Sequence, residues 1–152
     1  MSQSSMELIN DQNESIALSQ RSAFLMSLGG GAIAGLAGVL LNNIYSIIYT
    51  QLTGISISEY VNITTITLAS FLPCLLAGMV YFGLCFYTKN HRVVFIVGAI
   101  MFTLFSLLAP LSSTMPDGSP IPPGFAGLTI PMHIISAALL LVILPSYYHR
   151  QN

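Results

Sequence analysis

Charged side chains are scarce in this sequence. Its 152 residues include 4 Lys and Arg and 5 Asp and Glu, so charged residues make up 6% of the chain and hydrophobic residues 54%. A soluble globular chain carries about 25% charged residues, and so few charges cannot cover a water-facing surface. The formal net charge of −1 also leaves no basic patch for nucleic acid. The composition predicts a single domain embedded in a lipid bilayer.

The sequence also lacks the residue sets of familiar cofactor and catalytic sites. Cys74 and Cys85, its two cysteines, lie in one apolar segment, where a helix would hold them about 16 Å apart, too far for a disulfide. There is no CxxC pair, P-loop, HExxH or GxSxG motif. We therefore expect no metal site, no cofactor and no catalytic residues, which favours a function other than that of an enzyme.

Long apolar segments are what the sequence does contain, at about residues 22–49, 61–87, 93–112 and 125–148. Each reaches the roughly 20 residues that a helix needs to cross a hydrocarbon core. In lipid the backbone polar groups must be satisfied within the segment, so each segment is predicted to be a helix. The predicted fold is all-α, a four-helix transmembrane bundle. Residues 1–20 are predicted to be a polar cytoplasmic tail, mobile or partly helical, and residues 21–150 a single four-span domain.

The basic residues all fall on one side of these segments: Arg21, Lys89, Arg92 and Arg150. They flank the first segment, the turn between the second and third, and the end of the fourth. The other two connections, residues 50–60 and 113–124, contain no Lys or Arg. Because cytoplasmic loops are enriched in Lys and Arg, both termini are predicted to be cytoplasmic. The compact size and short loops indicate a multi-pass protein of the bacterial inner (plasma) membrane.

Small residues line one face of the first segment. Gly31 and Gly35 form a GxxxG motif, and Gly38 continues the same face. Small residues let two helix backbones approach closely in a membrane, so these three glycines are predicted to be helix-packing residues. The helix on that face is either another span or part of another chain. The expected partners are therefore the lipid bilayer and either a second copy of the chain or another membrane protein.

Polar residues are concentrated in the outer half of the predicted bundle. Asn42 and Asn43 lie near the outer end of the first segment, and Thr64 and Thr67 lie in the outer part of the second. His133, in the fourth, is the one His, Lys, Arg, Asp or Glu inside a predicted span. Polar groups in an apolar environment cost free energy unless they find partners. Ionisable residues there usually face the interior of the protein or a wet cavity.

Two interpretations of these five residues remain open. In the first, hydrogen bonds between helices satisfy the amides and the imidazole. In the second, they bind a ligand in an outward-facing polar pocket between the first, second and fourth spans, covered by the Pro-rich outer loop. The leading functional prediction is a non-enzymatic interaction or small binding module. The alternative is a small-solute transporter or channel subunit that uses this pocket.

The fourth segment contains the stretch PMHIISAA at residues 131–138. Together with the Gly/Ala-rich first segment and the Pro-rich outer loop, it resembles a family of small four-span bacterial membrane proteins of unknown function. The resemblance extends over about residues 22–148. It implies the same four-helix architecture and supplies no activity that could be transferred to this chain.

Overall fold

The structure, a computed structural model, describes residues 3–55, 60–112, 114–115 and 118–149. These residues form four helices: α1 (Gln3–Thr53), α2 (Ile63–Tyr87), α3 (His91–Ser106) and α4 (Phe125–His149). No strand occurs within the described ranges, where a single β-bridge joins Thr114 to Pro120. The prediction of an all-α protein with four helices is confirmed.

Three of the helices have the length and composition of membrane spans. The candidate spans lie within Asn10–Thr53 of α1, Ile63–Tyr87 of α2 and Phe125–Tyr148 of α4. Many of their large hydrophobic side chains are exposed, among them Leu36 at 61% and Val142 at 66%. Soluble monomers rarely expose contiguous apolar surface on this scale. The three helices are compatible with a multi-pass membrane protein.

The third helix is shorter than the sequence predicts. The expected span covers residues 93–112, whereas α3 ends at Ser106 and the chain continues in turns up to Ser112. Pro110 accounts for this, because proline has no N–H to donate and disfavours helical geometry in the preceding residue. The 16 residues of α3 extend about 24 Å, less than the roughly 30 Å of a hydrocarbon core. The helix predicted over residues 93–112 is therefore too long at its C-terminal end.

The first helix, by contrast, is longer than predicted. α1 begins at Gln3 and continues for 51 residues, so the described part of the polar segment 1–20 is helix continuous with the first apolar segment. Residues 3–28 contain no Gly or Pro, and lengthening an existing helix avoids the cost of nucleating a new one. The side chains of residues 10–22 are exposed. This end of α1 therefore extends beyond the packed part of the protein.

α1 makes the most extensive helix–helix contacts among the described elements. It packs along both α2 and α4, whereas α3 contacts only α2 and α4 among the described elements. A Cβ atom added to Gly30 would lie 2.8 Å from Leu144 Cδ1 of α4, and one added to Gly31 would lie 2.5 Å from the carbonyl oxygen of Cys74 in α2. On α2, a Cβ at Gly78 would lie 2.6 Å from the carbonyl oxygen of Ser27. Because glycine has no side chain at these positions, α1 can approach both α2 and α4 closely.

An aromatic cluster attaches α3 to the other helices. Tyr81 of α2 is 1% exposed, and its ring meets Phe95 of α3 edge-on, with a centroid distance of 5.0 Å. Tyr148 of α4 contacts the same Tyr81 ring at 5.3 Å. Edge-to-face pairs of this kind contribute about 0.5–1.5 kcal/mol beyond the area they bury. Phe95 is the one buried residue of α3, so this cluster is its main anchor.

Candidate functional site

Two tyrosines fasten the C-terminal end of α1 to the beginning of α4. The Tyr45 hydroxyl donates a hydrogen bond to the carbonyl oxygen of Gly127 at 2.9 Å. In a regular helix this carbonyl would accept from the residue four positions later, but that residue is Pro131, which has no N–H. The Tyr49 hydroxyl donates to the carbonyl oxygen of Gly124 at 3.1 Å. Tyr45 thus replaces the hydrogen bond that the proline removes.

The turn before α4 packs closely against this end of α1. Gly124 has a φ angle of +83°, in the left-handed region where a side chain is unfavourable. A Cβ atom at Gly124 would also lie 2.9 Å from both Ile55 Cγ2 and the Tyr49 hydroxyl oxygen. Glycine is therefore required here for two separate reasons. The position of α4 relative to α1 is fixed at this point.

Asn42 joins three helices from the middle of the packed region. Its side chain is 2% exposed, and Nδ2 donates to Ser70 Oγ of α2 and to Ser136 Oγ of α4, both at 2.9 Å. The buried Oδ1 atom has no hydrogen-bond partner among the described residues. Hydrogen bonds between membrane helices are worth about 0.6–2 kcal/mol each. The amide therefore serves here as a tie between helices.

A cleft of about 910 Å³ lies between the C-terminal end of α1 and the N-terminal end of α2. We call it the α1–α2 cleft. Its described lining residues are Asn43, Ser46, Ile47, Thr50, Gln51, Val61, Asn62, Ile63, Thr64, Thr65, Ile66 and Leu128. None of these side chains is charged, and amides and hydroxyls alternate with aliphatic groups. The cleft can therefore offer hydrogen bonds and apolar contact, but no ion pair from these residues.

Several polar groups of the cleft are already engaged within the protein. Asn62 and Thr65 form the capping box that begins α2: Thr65 N donates to Asn62 Oδ1 at 3.0 Å, and Asn62 N donates to Thr65 Oγ1 at 2.9 Å. Such a box satisfies backbone donors that a helix N-terminus would otherwise leave unpaired. Asn43 Nδ2 donates to the carbonyl oxygen of Val39 at 2.8 Å, so its Oδ1 remains as an acceptor.

Four other polar side chains of the cleft make no hydrogen bond with a described residue: Ser46, Thr50, Gln51 and Thr64. Ser46 and Thr50 are half-buried, whereas Gln51 and Thr64 are exposed. On α1, Asn43, Ser46 and Thr50 follow one another at spacings of three and four residues, which places them on one helix face. The cleft thus presents a row of unused donors and acceptors.

His133 lies outside this row. Its ring is half-buried, and Nδ1 lies 2.8 Å from the carbonyl oxygen of Thr129. A carbonyl only accepts, so Nδ1 carries the proton of this hydrogen bond. His133 shares a helix face with Thr129 and Leu140, at spacings of four and seven residues. It is not among the residues that line the cleft.

The structure therefore divides the five candidate ligand-binding residues. Asn43 and Thr64 lie together on the α1–α2 cleft, whereas Asn42, Thr67 and His133 do not line it. Sequence reasoning missed the serines that pair with Asn42, Ser70 and Ser136, and it missed Thr50 and Gln51. A signal for Thr50 was present, because it continues the face of Asn43 at a spacing of seven residues. Nothing in the sequence alone indicates that Asn42 meets both serines.

Within the described ranges, no group of three or more His, Cys, Asp or Glu side chains could hold a metal ion. Cys74 and Cys85 are unpaired thiols there. Comparisons of the chain with protein-family models, with curated proteins and with solved structures found no match.

Proposed function

We propose that this chain is a non-enzymatic binding module of the bacterial inner membrane, built as a four-helix membrane bundle with both termini in the cytoplasm. Exposed apolar side chains on α1, α2 and α4 support the insertion. The positions of the four basic residues support the orientation. α3 and the turns up to Ser112 form the remaining one of the four crossings, which brings the C-terminus back to the cytoplasmic side. A bilayer can accommodate such a short span by local thinning.

The observation that carries the binding role is the α1–α2 cleft. In the proposed orientation it lies at the outer end of the bundle and opens between two spans. Ser46 and Thr50 are half-buried there, and neither has a hydrogen-bond partner among the described residues. Hydroxyls removed from water without hydrogen bonds cost free energy. These hydroxyls therefore need water or a polar ligand as a hydrogen-bond partner.

Labelling of single cysteines tests the wet cleft. Ile63 lines the cleft and is 75% exposed, so Ile63→Cys should react with a membrane-impermeant maleimide added to intact cells. Leu76→Cys is the matched control: it is on the same helix, 60% exposed, and about 20 Å further along the helix axis, where lipid excludes the reagent. The unaltered chain, with its two native thiols, provides the blank. An unreactive Ile63→Cys would contradict the proposed binding site.

A small-solute transporter or channel subunit is the second candidate, and the interruption of α4 favours it. Pro131 breaks the hydrogen-bond ladder two residues before His133, and Pro145 lies in the same helix. Functional sites in membrane proteins often lie at such interrupted helices. Solute flux into vesicles that is lost in His133→Ala and retained in Thr67→Ala would favour this candidate. Equal flux with and without the protein would eliminate it.

A further inference from the structure

The lining of the α1–α2 cleft indicates which class of ligand it takes. We propose that it binds a neutral, polyhydroxylated headgroup, such as that of a glycolipid or of a free glycoside. This inference rests on the proposed function, since it names the ligand of the same site. It follows from the hydrogen-bonding capacity of the cleft, from the distribution of charge around it and from its position along the helices.

The hydrogen-bonding capacity matches a ligand that both donates and accepts. Ser46, Thr50 and Thr64 each offer a hydroxyl, and Gln51 offers an amide, all without a described partner. Hydroxyls and carboxamides both donate and accept, as do the hydroxyls of a sugar ring. Ser46 and Thr50 stand one helical turn apart, about 6 Å between their side chains. Adjacent hydroxyls on a sugar can therefore bridge the row.

The distribution of charge disfavours an anionic headgroup. Phosphate is recognised in proteins mainly by Arg and Lys. Arg21, the basic residue of α1, precedes Asn43 by 22 residues, about 33 Å along the helix. The connection 50–60 has no Lys or Arg. A phosphate in the cleft would have no cation from these elements to pair with.

A cationic headgroup is disfavoured as well. The described lining contains no carboxylate and no aromatic ring. Quaternary ammonium groups are typically held by the faces of aromatic residues, which are absent from this wall. Neutral hydroxyls therefore remain the chemistry that the lining complements.

The position of the cleft suits a ligand that is part polar and part apolar. Its polar groups on α1 extend from Asn43 to Gln51, about 12 Å along the axis. Ile47, Val61 and Ile63 line the same walls. The neighbouring Tyr49 bonds to Gly124, just before the first turn of α4, so the cleft lies near the predicted membrane surface. A headgroup there would meet the hydroxyls while its alkyl part contacts the aliphatic side chains.

Protection of Ile63→Cys from labelling tests this assignment without removing a polar group. The variant is reconstituted in phosphatidylcholine vesicles that contain a glucosyl diacylglycerol, an equal fraction of phosphatidylglycerol, or neither. A fourth sample contains no added lipid but receives soluble methyl glucoside. At about four times its Kd, a ligand that covers the site slows labelling about fivefold. We expect this slowing with the glucosyl lipid or with methyl glucoside, which separates the two sources, and none with phosphatidylglycerol.

Hydroxyl deletions complete the experiment. Ser46→Ala combined with Thr50→Ala should abolish the protection, as should the independent variant Thr64→Val. Ser106→Ala, which removes a hydroxyl from α3 away from the cleft, should retain it. Labelling that is equally fast in all four samples would overturn the neutral-headgroup assignment and leave the proposed binding site intact. Equal slowing by phosphatidylglycerol would overturn it too. A lack of labelling in plain vesicles would instead refute the binding site itself.

Discussion

At the scale of single residues, Asn42 makes the most unusual contribution to the structure. It is buried at 2% exposure, and one amide nitrogen links α1 to both α2 and α4. A polar group this deeply buried is tolerated only because it is hydrogen-bonded. Ser70 and Ser136, which accept these hydrogen bonds, are small enough for the three helices to meet around Asn42. The sequence places Asn42 on the glycine face of α1, but the meeting of three helices there is a property of the tertiary structure.

We therefore predict that Asn42→Ala destabilises the protein by about 1–2 kcal/mol, the worth of hydrogen bonds between membrane helices. Ser70 and Ser136 would lose their shared donor. Unfolding of the protein in detergent micelles by a denaturing detergent measures this difference. Asn43→Ala is the matched control, because the one hydrogen bond of Asn43 to a described residue is with Val39 of its own helix. Equal effects of the two substitutions would show that Asn42 does not act as a tie.

Tyr45 allows a second prediction. Tyr45→Phe removes the hydrogen bond to the Gly127 carbonyl and should cost about 0.5–1.5 kcal/mol of stability. Tyr49→Phe should cost less, because the Gly124 carbonyl also accepts from Leu128 N at 3.0 Å. The same unfolding measurement compares the two.

A double-mutant cycle isolates the cause. Pro131→Ala restores an N–H that can bond to the Gly127 carbonyl, so Tyr45→Phe should be nearly neutral in that background. A non-additive result is expected because the two groups compete for one acceptor. An unchanged cost of Tyr45→Phe in the Pro131→Ala background would mean that the hydroxyl does not compensate for the proline.

At the scale of the helices, the spacing between α1 and α2 depends on glycine. Gly31→Ala would place a methyl group 2.5 Å from the carbonyl oxygen of Cys74, and a backbone atom cannot rotate away. The helices must separate, and such overpacking typically costs about 1–3 kcal/mol. Gly98→Ala on α3 is the matched control, since nothing lies within 4 Å of its added Cβ. It should be neutral or stabilising, because alanine is about 1 kcal/mol better than glycine in a helix.

Thermal unfolding of the purified variants in detergent measures both substitutions. The same two variants also show whether Gly31 packs against α2 of its own chain or against a second copy of the chain. If Gly31 instead packs against a second copy, Gly31→Ala should abolish crosslinking between chains while the stability of the dissociated monomer stays unchanged. That outcome would contradict the role that the α1–α2 contact implies.

The helices also show how far hydropathy predicts this fold. α2 and α4 begin and end within two residues of the predicted segments, because strong turn or capping residues flank long apolar runs. α3 ends early, because Pro110 interrupts a run that is otherwise apolar enough. α1 begins earlier than predicted, because hydropathy detects only the apolar part of a helix. The polar residues before it continue the same helix. Asn43 and Thr64 line the same cleft. Their positions along the two helices are compatible with this contact, but they do not determine it, because the sequence does not give the rotation of one helix relative to the other.

At the scale of the whole molecule, the proposed orientation depends on four basic residues, and it is directly testable. The turn between α2 and α3 carries Lys89 and Arg92, and the connection before α4 carries no Lys or Arg. Because positively charged loops stay in the cytoplasm, these two connections are predicted to lie on opposite sides of the membrane. Asn90 and Thr114 are exposed positions within them, and Asn90 makes no side-chain cap, so a cysteine at either site should be tolerated.

We expect an impermeant maleimide to label Thr114→Cys in intact bacterial cells and to leave Asn90→Cys unlabelled until the membrane is permeabilised. The physical reason is that α3, although its helix is short, must carry the chain across the bilayer if both termini are cytoplasmic. Protection of both variants in intact cells would mean that α3 lies along the cytoplasmic surface and does not cross. The C-terminus would then be on the opposite side from the N-terminus, and a C-terminal cysteine tag would label from outside. Protection of Asn90→Cys together with that tag supports four crossings.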